Sequence, residues 1–282
     1  MSPSQNSSAT RSLADFAGTL LLLGAGKMGA AMLDGWLALG IDPKTLAVLE
    51  PQPTQEIAAL TARGLRLNPQ PAEVGPAAAI VIAIKPQVAP EVAPTLAPYV
   101  GPSTVAVSIM AGRTLRFLEG ALPRAALVRA MPNTPAAIGR GITVAVPNAR
   151  VSAAQRELVH TLLTAIGAVE WVSDEALMDA VTAVSGSGPA YIFLLAECMA
   201  KAGVAAGLPA ELADKLARAT VAGSGELLHR SEQDSATLRQ NVTSPGGTTA
   251  AALEVLMAKD GLQPLMIRAI AAATKRSIEL AK

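Results

Sequence analysis

The sequence predicts a doubly wound, mostly parallel α/β domain followed by an all-α domain. Three observations carry that expectation. Residues 20–23 are consecutive leucines, the uninterrupted apolar run of a parallel strand buried on both faces. Glycines stand at 24, 26 and 29 in a G-x-G-x-x-G pattern, with good helix formers after them. Beyond Ser173 the strand signals vanish, and long helical patterns separated by Gly and Pro take over.

At 282 residues the chain is long enough for two domains with a sizeable core. Apolar residues make up 51% but aromatics only 2%, so the apolar bulk is Ala, Leu and Val, which suits helices and buried strands. The net charge is +1 with no basic block, which argues against nucleic acid or an anionic membrane as partner. Uninterrupted apolar runs such as 77–84 are too short to cross a bilayer. Residues 1–18 are Ser-rich without an apolar core and read as a disordered extension, not a secretory signal. Cys198 is the single cysteine, which excludes an intrachain disulfide, and with only His160 and His229 no metal site is expected. The expected organisation is an extension over 1–18, a dinucleotide-binding Rossmann domain over 19–173 and a helical dimerisation and substrate domain over 174–282, in a soluble cytoplasmic protein.

The loop Gly24, Ala25, Gly26, Lys27, Met28, Gly29 is the predicted diphosphate cradle. Gly24 permits the tight turn, Gly26 lets backbone approach the pyrophosphate, and Gly29 lets the helix pack on the strand. The helix N-terminus adds unpaired N–H groups and a positive dipole end. A second strand over 46–49 ends at Glu50, 21 positions after Gly29 (50 − 29), near the spacing at which a carboxylate meets the adenosine ribose. Such a carboxylate accepts from a 2′-hydroxyl and repels a 2′-phosphate, so Glu50 favours NADH over NADPH. The bland alternative is a solvated carboxylate at a strand end.

Residues 55–63 look helical, stopped by Gly64. A third strand over 77–84 ends in Lys85-Pro86-Gln87, at the sheet edge where ligands of open α/β sheets gather; Lys85 could equally be an exposed charge. Strands over 104–109 and 127–130 run into Met110-Ala111-Gly112 and Met131-Pro132-Asn133-Thr134-Pro135. The two prolines of the latter are expected to exclude helix and to stiffen the loop around Asn133. A strand over 141–146, an amphipathic helix over 151–166 and an edge strand over 169–172 complete the domain. Helices are expected at about 174–184, 188–206, 209–229, 235–242, 247–258 and 262–281. Their apolar surface exceeds what one small bundle buries, which suggests intersubunit packing.

Two stretches of the helical half are more than connectors. Ser185-Gly186-Ser187-Gly188-Pro189 suits close backbone approach. Val242-Thr243-Ser244-Pro245-Gly246-Gly247-Thr248-Thr249 is a hydroxyl-rich turn opening into a helix, and its N–H and O–H groups form a natural carboxylate receptor. The structural alternative is a long capping loop with Thr248 as N-cap.

With these motifs in view, the chain from about Leu20 to its C-terminus resembles Δ1-pyrroline-5-carboxylate reductase. The resemblance rests on the 24–29 loop, Lys85-Pro86-Gln87, residues 131–135, Ser185-Gly186-Ser187-Gly188-Pro189-Ala190-Tyr191 and Ser244-Pro245-Gly246-Gly247-Thr248-Thr249. It implies hydride transfer from NAD(P)H to a cyclic imine, pyrroline-5-carboxylate, giving L-proline. It also implies a Rossmann domain and interleaved helical domains in a homo-oligomer, a dimer at least and up to a decamer. By position, Thr249 matches the substrate-contacting and proton-donating residue. Ser244, Gly246, Gly247 and Thr248 match the carboxylate grip, and Glu232 an acidic residue near the substrate ring. Lys85, Pro86, Met110, Ala111 and Asn133 match the nicotinamide side. Glu50 departs from members that hold a 2′-phosphate there.

The missing groups agree. No histidine falls in any motif and no Ser-His-Asp grouping is present. A protonated cyclic imine needs neither, because its C=N carbon is already electrophilic and hydride addition leaves a neutral amine. Other cyclic imine reductases share this logic. A β-hydroxyacid-type dehydrogenase would carry a lysine at Ser185–Pro189, where none stands. A non-catalytic NAD-binding redox sensor would have no use for the 244–249 grip.

Overall fold

The computed structural model describes residues 12–281. Eight strands form one sheet: β1 Leu20–Leu23, β2 Leu46–Leu49, β3 Arg66–Leu67, β4 Ala79–Ile82, β5 Val105–Ser108, β6 Ala126–Met131, β7 Gly141–Pro147 and β8 Gly167–Trp171. Their order is β3-β2-β1-β4-β5-β6-β7-β8, parallel throughout except for the antiparallel β6–β7 pair. The order reverses direction between β1 and β4, and the crevice outside the carboxyl ends there is where doubly wound sheets take ligands.

The leucine run explains why the sheet is covered on both faces. Side chains of a strand alternate: Leu20 and Leu22 enter one core with Trp36, Val48 and Leu162, whereas Leu21 and Leu23 enter another with Ile80, Leu96 and Leu118. Trp36, fully buried, also donates its indole N–H to the Leu162 carbonyl at 2.8 Å, tying helix Lys27–Ala38 to helix Ala153–Thr164.

Several expectations are corrected here. Residues 1–11 of the anticipated disordered extension lie outside the described residues, and within 12–18 two side chains pack while the others are exposed. Leu13 is buried and donates its N–H to Leu39 at 2.8 Å, and Phe16 lies on the core, because these two apolar side chains cover the end of helix Lys27–Ala38. The prolines at 132 and 135 do not exclude helix: a 3-10 turn spans Thr134–Ile138 with Asn133 as N-cap and proline in its first turn, where no N–H is needed. Strand β3, a helix at Leu115–Ala121 and short helical turns over 89–99 add to the elements the sequence pattern predicts.

The unit that holds the sheet ends at Gly186 and takes in the chain again from Arg276, so it divides later than Ser173, where strand signals end. Side chains past Ser173 explain this. Glu175 Oε1 accepts from Arg129 at 2.8 Å and from the Leu115 N–H at 2.8 Å, and Ser277 donates to Asp179 at 2.6 Å. A π-helix over Thr182–Gly186 closes the unit.

The second unit, Ser187–Lys275, is helical: Gly188–Ala205, Ala210–Arg230, Ser235–Asn241, Thr248–Leu256 and most of Leu262–Leu280. Gly207 (φ 99) ends the first of these. Only Ala213 and Ala217 are buried among its described residues, and Phe193, Leu194, Leu227, Val255 and Ile267 are more than half exposed. Among the described residues one helical stretch, Glu175–Ala205, is long and apolar enough to cross a membrane by length and composition alone, although no uninterrupted apolar run is.

Candidate active site

The glycine loop separates structural need from ligand need. A Cβ built on Gly24 (φ 87) would lie 2.8 Å from the Ala83 carbonyl oxygen, and one on Gly29 would collide with the Gly24 carbonyl. The fold requires glycine at both. A Cβ on Gly26 meets nothing within 4 Å. The fold does not need glycine there, and the space fits the approach of a diphosphate. Gly26 is also the N-cap of the 12-residue helix Lys27–Ala38, with no side-chain cap and no acidic residue in the first turn, so the donors of that turn fit an anion. Lys27 is exposed and Met28 half-buried beside them.

Glu50 is brought to this loop. Its Oε2 accepts the Ala25 N–H at 2.8 Å, and its Oε1 accepts the Gln52 N–H at 3.1 Å. It is therefore a fixed carboxylate beside the cradle, not a freely solvated one. Asn68, which no spacing rule singles out, grips Glu50 from the other side. The Glu50 N–H donates to Asn68 Oδ1 at 2.8 Å, and Asn68 Nδ2 donates to the Glu50 carbonyl at 2.9 Å. Next to it, buried Tyr99 donates its hydroxyl to the Pro69 carbonyl at 2.8 Å. Burial and then the Glu73 charge push the Tyr99 hydroxyl above its ordinary pKa, so it stays protonated and a donor.

On the other side of the switch point, Lys85 is exposed in the loop after β4; its carbonyl accepts the Val88 N–H at 3.2 Å, and its ammonium has no hydrogen bond or ion pair among the described residues. The loops 85–87 and 110–113 are joined by Arg113, whose Nε and Nη2 donate to the Pro86 carbonyl at 2.9 and 2.6 Å while its guanidinium lies 4.7 Å from the Phe117 ring centre. Ala111 is exposed, but Met110 is 3% exposed and packed in the core. A cofactor could meet its backbone and not its side chain. Asn133 uses its amide oxygen to accept the Ile142 N–H at 3.0 Å, so half of its polar capacity holds β7 in place.

In the helical unit, the Ser244–Thr249 turn has the form the sequence implies. The Ser244 carbonyl accepts the Gly247 N–H at 3.1 Å, and Gly246 is left-handed at φ 69. A Cβ on Gly247 would fall 2.5 Å from Ser244 Oγ and 3.2 Å from the Ser244 carbonyl oxygen, so a larger residue there would have to turn the Ser244 hydroxyl aside. Gly247, not Thr248, is the N-cap of helix Thr248–Leu256, and no side chain caps it. Thr248 therefore sits in the first turn beside Thr249. Among the described residues the hydroxyls of Ser244, Thr248 and Thr249 make no hydrogen bond, leaving three hydroxyls and the first-turn N–H groups as available donors. Glu232 is exposed in the connection before Ser235, with no hydrogen bond to this turn.

Family comparison follows the same division. Residues 175–280 match the pyrroline-5-carboxylate reductase dimerisation model, and 19–112 match that of NADP oxidoreductase, coenzyme F420-dependent. A pyrroline-5-carboxylate reductase of Pseudomonas aeruginosa is 41% identical over 266 residues, covering 93% of this chain and 97% of its own. The chain belongs to the pyrroline-5-carboxylate reductase family. The solved structure of the Coxiella burnetii reductase superposes with a TM-score of 0.86 at 33% identity, covering 94% of this chain and 99% of that one. That of Plasmodium falciparum pyrroline carboxylate reductase, solved with NADP bound, gives 0.77 at 31% identity, covering 94% and 98%. The dimerisation match also fits the apolar faces left open in the second unit, those of helix Gly188–Ala205 included.

Proposed function

We propose that this chain reduces Δ1-pyrroline-5-carboxylate to L-proline, with NADH preferred over NADPH and Thr249 as the residue that serves the imine nitrogen. The observation that carries the proposal is the Ser244–Thr249 turn. It opens a nine-residue helix with no side-chain cap, and its three hydroxyls have no hydrogen-bond partner among the described residues. Donors left in this state are suited to a small carboxylate.

NAD(P)H, when bound at Gly24–Gly29, supplies the hydride. The chain's own residues do the rest. The turn grips the substrate carboxylate and so fixes the ring, converting a chance encounter into an oriented one. Thr249 hydrogen-bonds the ring nitrogen, keeps its proton in place and leaves the C=N carbon electrophilic. The nitrogen ends as a neutral amine, so no oxyanion needs stabilising. Glu50, already bonded to Ala25 and Gln52, retains lone pairs for a ribose 2′-hydroxyl and opposes a 2′-phosphate. The resemblance supports assembly beyond the dimer, up to a decamer, as part of the same proposal.

Thr249→Ala is expected to lower turnover by about 100-fold, the range for a positioned proton donor, while the KM for dinucleotide stays within about twofold. Steady-state oxidation of NADH and of NADPH with pyrroline-5-carboxylate, with proline measured as product, checks this. A variant that turns over as the parent does would remove Thr249 from the role.

A further inference from the structure

Glu50 is a long side chain, and a long carboxylate that can swing into solvent makes a poor barrier to a 2′-phosphate. What distinguishes this one is how completely it is held. Both carboxylate oxygens accept backbone N–H groups, at 2.8 Å from Ala25 and 3.1 Å from Gln52. Its own backbone N–H and carbonyl are both taken by the side-chain amide of Asn68, at 2.8 and 2.9 Å. Asn68 extends the β2–β3 pairing by one further position with a side chain in place of backbone. Leu67 pairs with Val48, the Asn68 N–H donates to the Val48 carbonyl at 2.7 Å, and the amide then reaches Glu50.

Asn68 is also the one non-glycine residue with positive φ among those described, at 49°. It stands directly before Pro69, which restricts it further. Asparagine tolerates the left-handed region better than most residues, yet such a conformation persists only where its surroundings impose it. Here the Val48 carbonyl and the buried Tyr99 hydroxyl on Pro69 impose it. The effect of the strained residue is to aim one amide at both polar groups of the Glu50 backbone.

We infer that Asn68 is a positioning residue for dinucleotide choice: through its paired bonds to the Glu50 backbone it holds the carboxylate where a 2′-phosphate would have to sit. This rests on the reading of Glu50 given above. Asn68 itself is exposed, so its substitution does not open the core.

The test uses the full-length assembled protein and reads the ratio of kcat/KM for NADH to that for NADPH, a quantity that a merely structural role leaves unmoved. Glu50→Gln is expected to lower the ratio by about tenfold, the scale of one like-charge contact largely screened by water. Asn68→Gly keeps the left-handed backbone accessible and deletes the amide. It is expected to lower the ratio by about threefold or more, with the KM for pyrroline-5-carboxylate unchanged, since a freed Glu50 recovers part of its tolerance for phosphate. In the double variant Asn68→Gly should add nothing to Glu50→Gln, because it acts only through that carboxylate. A ratio that moves in Glu50→Gln but not in Asn68→Gly overturns the inference and leaves the role of Glu50 standing. A ratio unmoved by Glu50→Gln overturns both. A full additive effect in the double variant also overturns it, since Asn68 would then act by another route.

Discussion

The two halves of this chain are comparably rich in apolar residues and place them in opposite ways. The sheet half covers both faces of its strands, and Leu20, Leu22, Trp36, Ile80, Val81 and Leu118 are at most 1% exposed. In the helical half Phe193 is 64% exposed, Leu227 67% and Val255 72%. Parallel strands connected by crossovers acquire helices on both faces from their own chain. Two long helices packed mainly on each other do not, and the dimerisation match says what completes them. The two candidate motifs fall on the same line, the Gly24–Gly29 loop in the half that covers its own strands and the Ser244–Thr249 turn in the half whose apolar faces stay open.

The largest effect should come from breaking the half that depends on a partner. Residues 192–195 are a run of exposed apolar side chains on helix Gly188–Ala205. Phe193→Glu places an unpaired charge in a surface that assembly must desolvate, at a cost of several kcal/mol, or about 3 or more. Light scattering coupled to size exclusion is expected to show dissociation, with reductase activity lost alongside. Within the sheet half, Gly29→Ala and Gly26→Ala separate fold from ligand. The first forces a methyl onto the Gly24 carbonyl and should destabilise by about 1–3 kcal/mol in denaturant melts. The second meets no protein atom, so the melt should stay within about 0.5 kcal/mol while the KM for dinucleotide rises. The smallest effect is a gain. Thr143 on β7 is 1% exposed and its hydroxyl has no partner, so Thr143→Val should stabilise by about 1 kcal/mol.

What was legible followed from which signals are local. The strands flanking the switch point are short, wholly apolar runs, and they lie where the pattern puts them. Strand β3 is two residues, one of them Arg66, and carries no periodicity to read. The helical turns over 89–99 hide among prolines, of which Pro90 and Pro94 stand in first turns and Pro98 stands inside the second. Leu13 and Phe16 carry no sequence signal, because two apolar residues in a polar stretch make no pattern until a helix end lies beneath them. The same holds at the site. Three glycines and an acid at a fixed interval declare themselves, and so does a hydroxyl-rich turn before a helix. Asn68 and Arg113 do not, because each acts by reaching from one loop to a backbone carbonyl of another. Met110, placed on the nicotinamide side by resemblance, turns its side chain to the core. The sequence neighbourhood of a residue does not reveal which of its faces is used.

The division of labour between the halves is tested most directly by titrating NADH into the dissociated Phe193→Glu protein by calorimetry and assaying the same sample for pyrroline-5-carboxylate reduction. The expected result is dinucleotide affinity within about threefold of the parent, about 0.7 kcal/mol, with reduction abolished. Loss of dinucleotide binding together with assembly, or full activity in the dissociated chain, would contradict it.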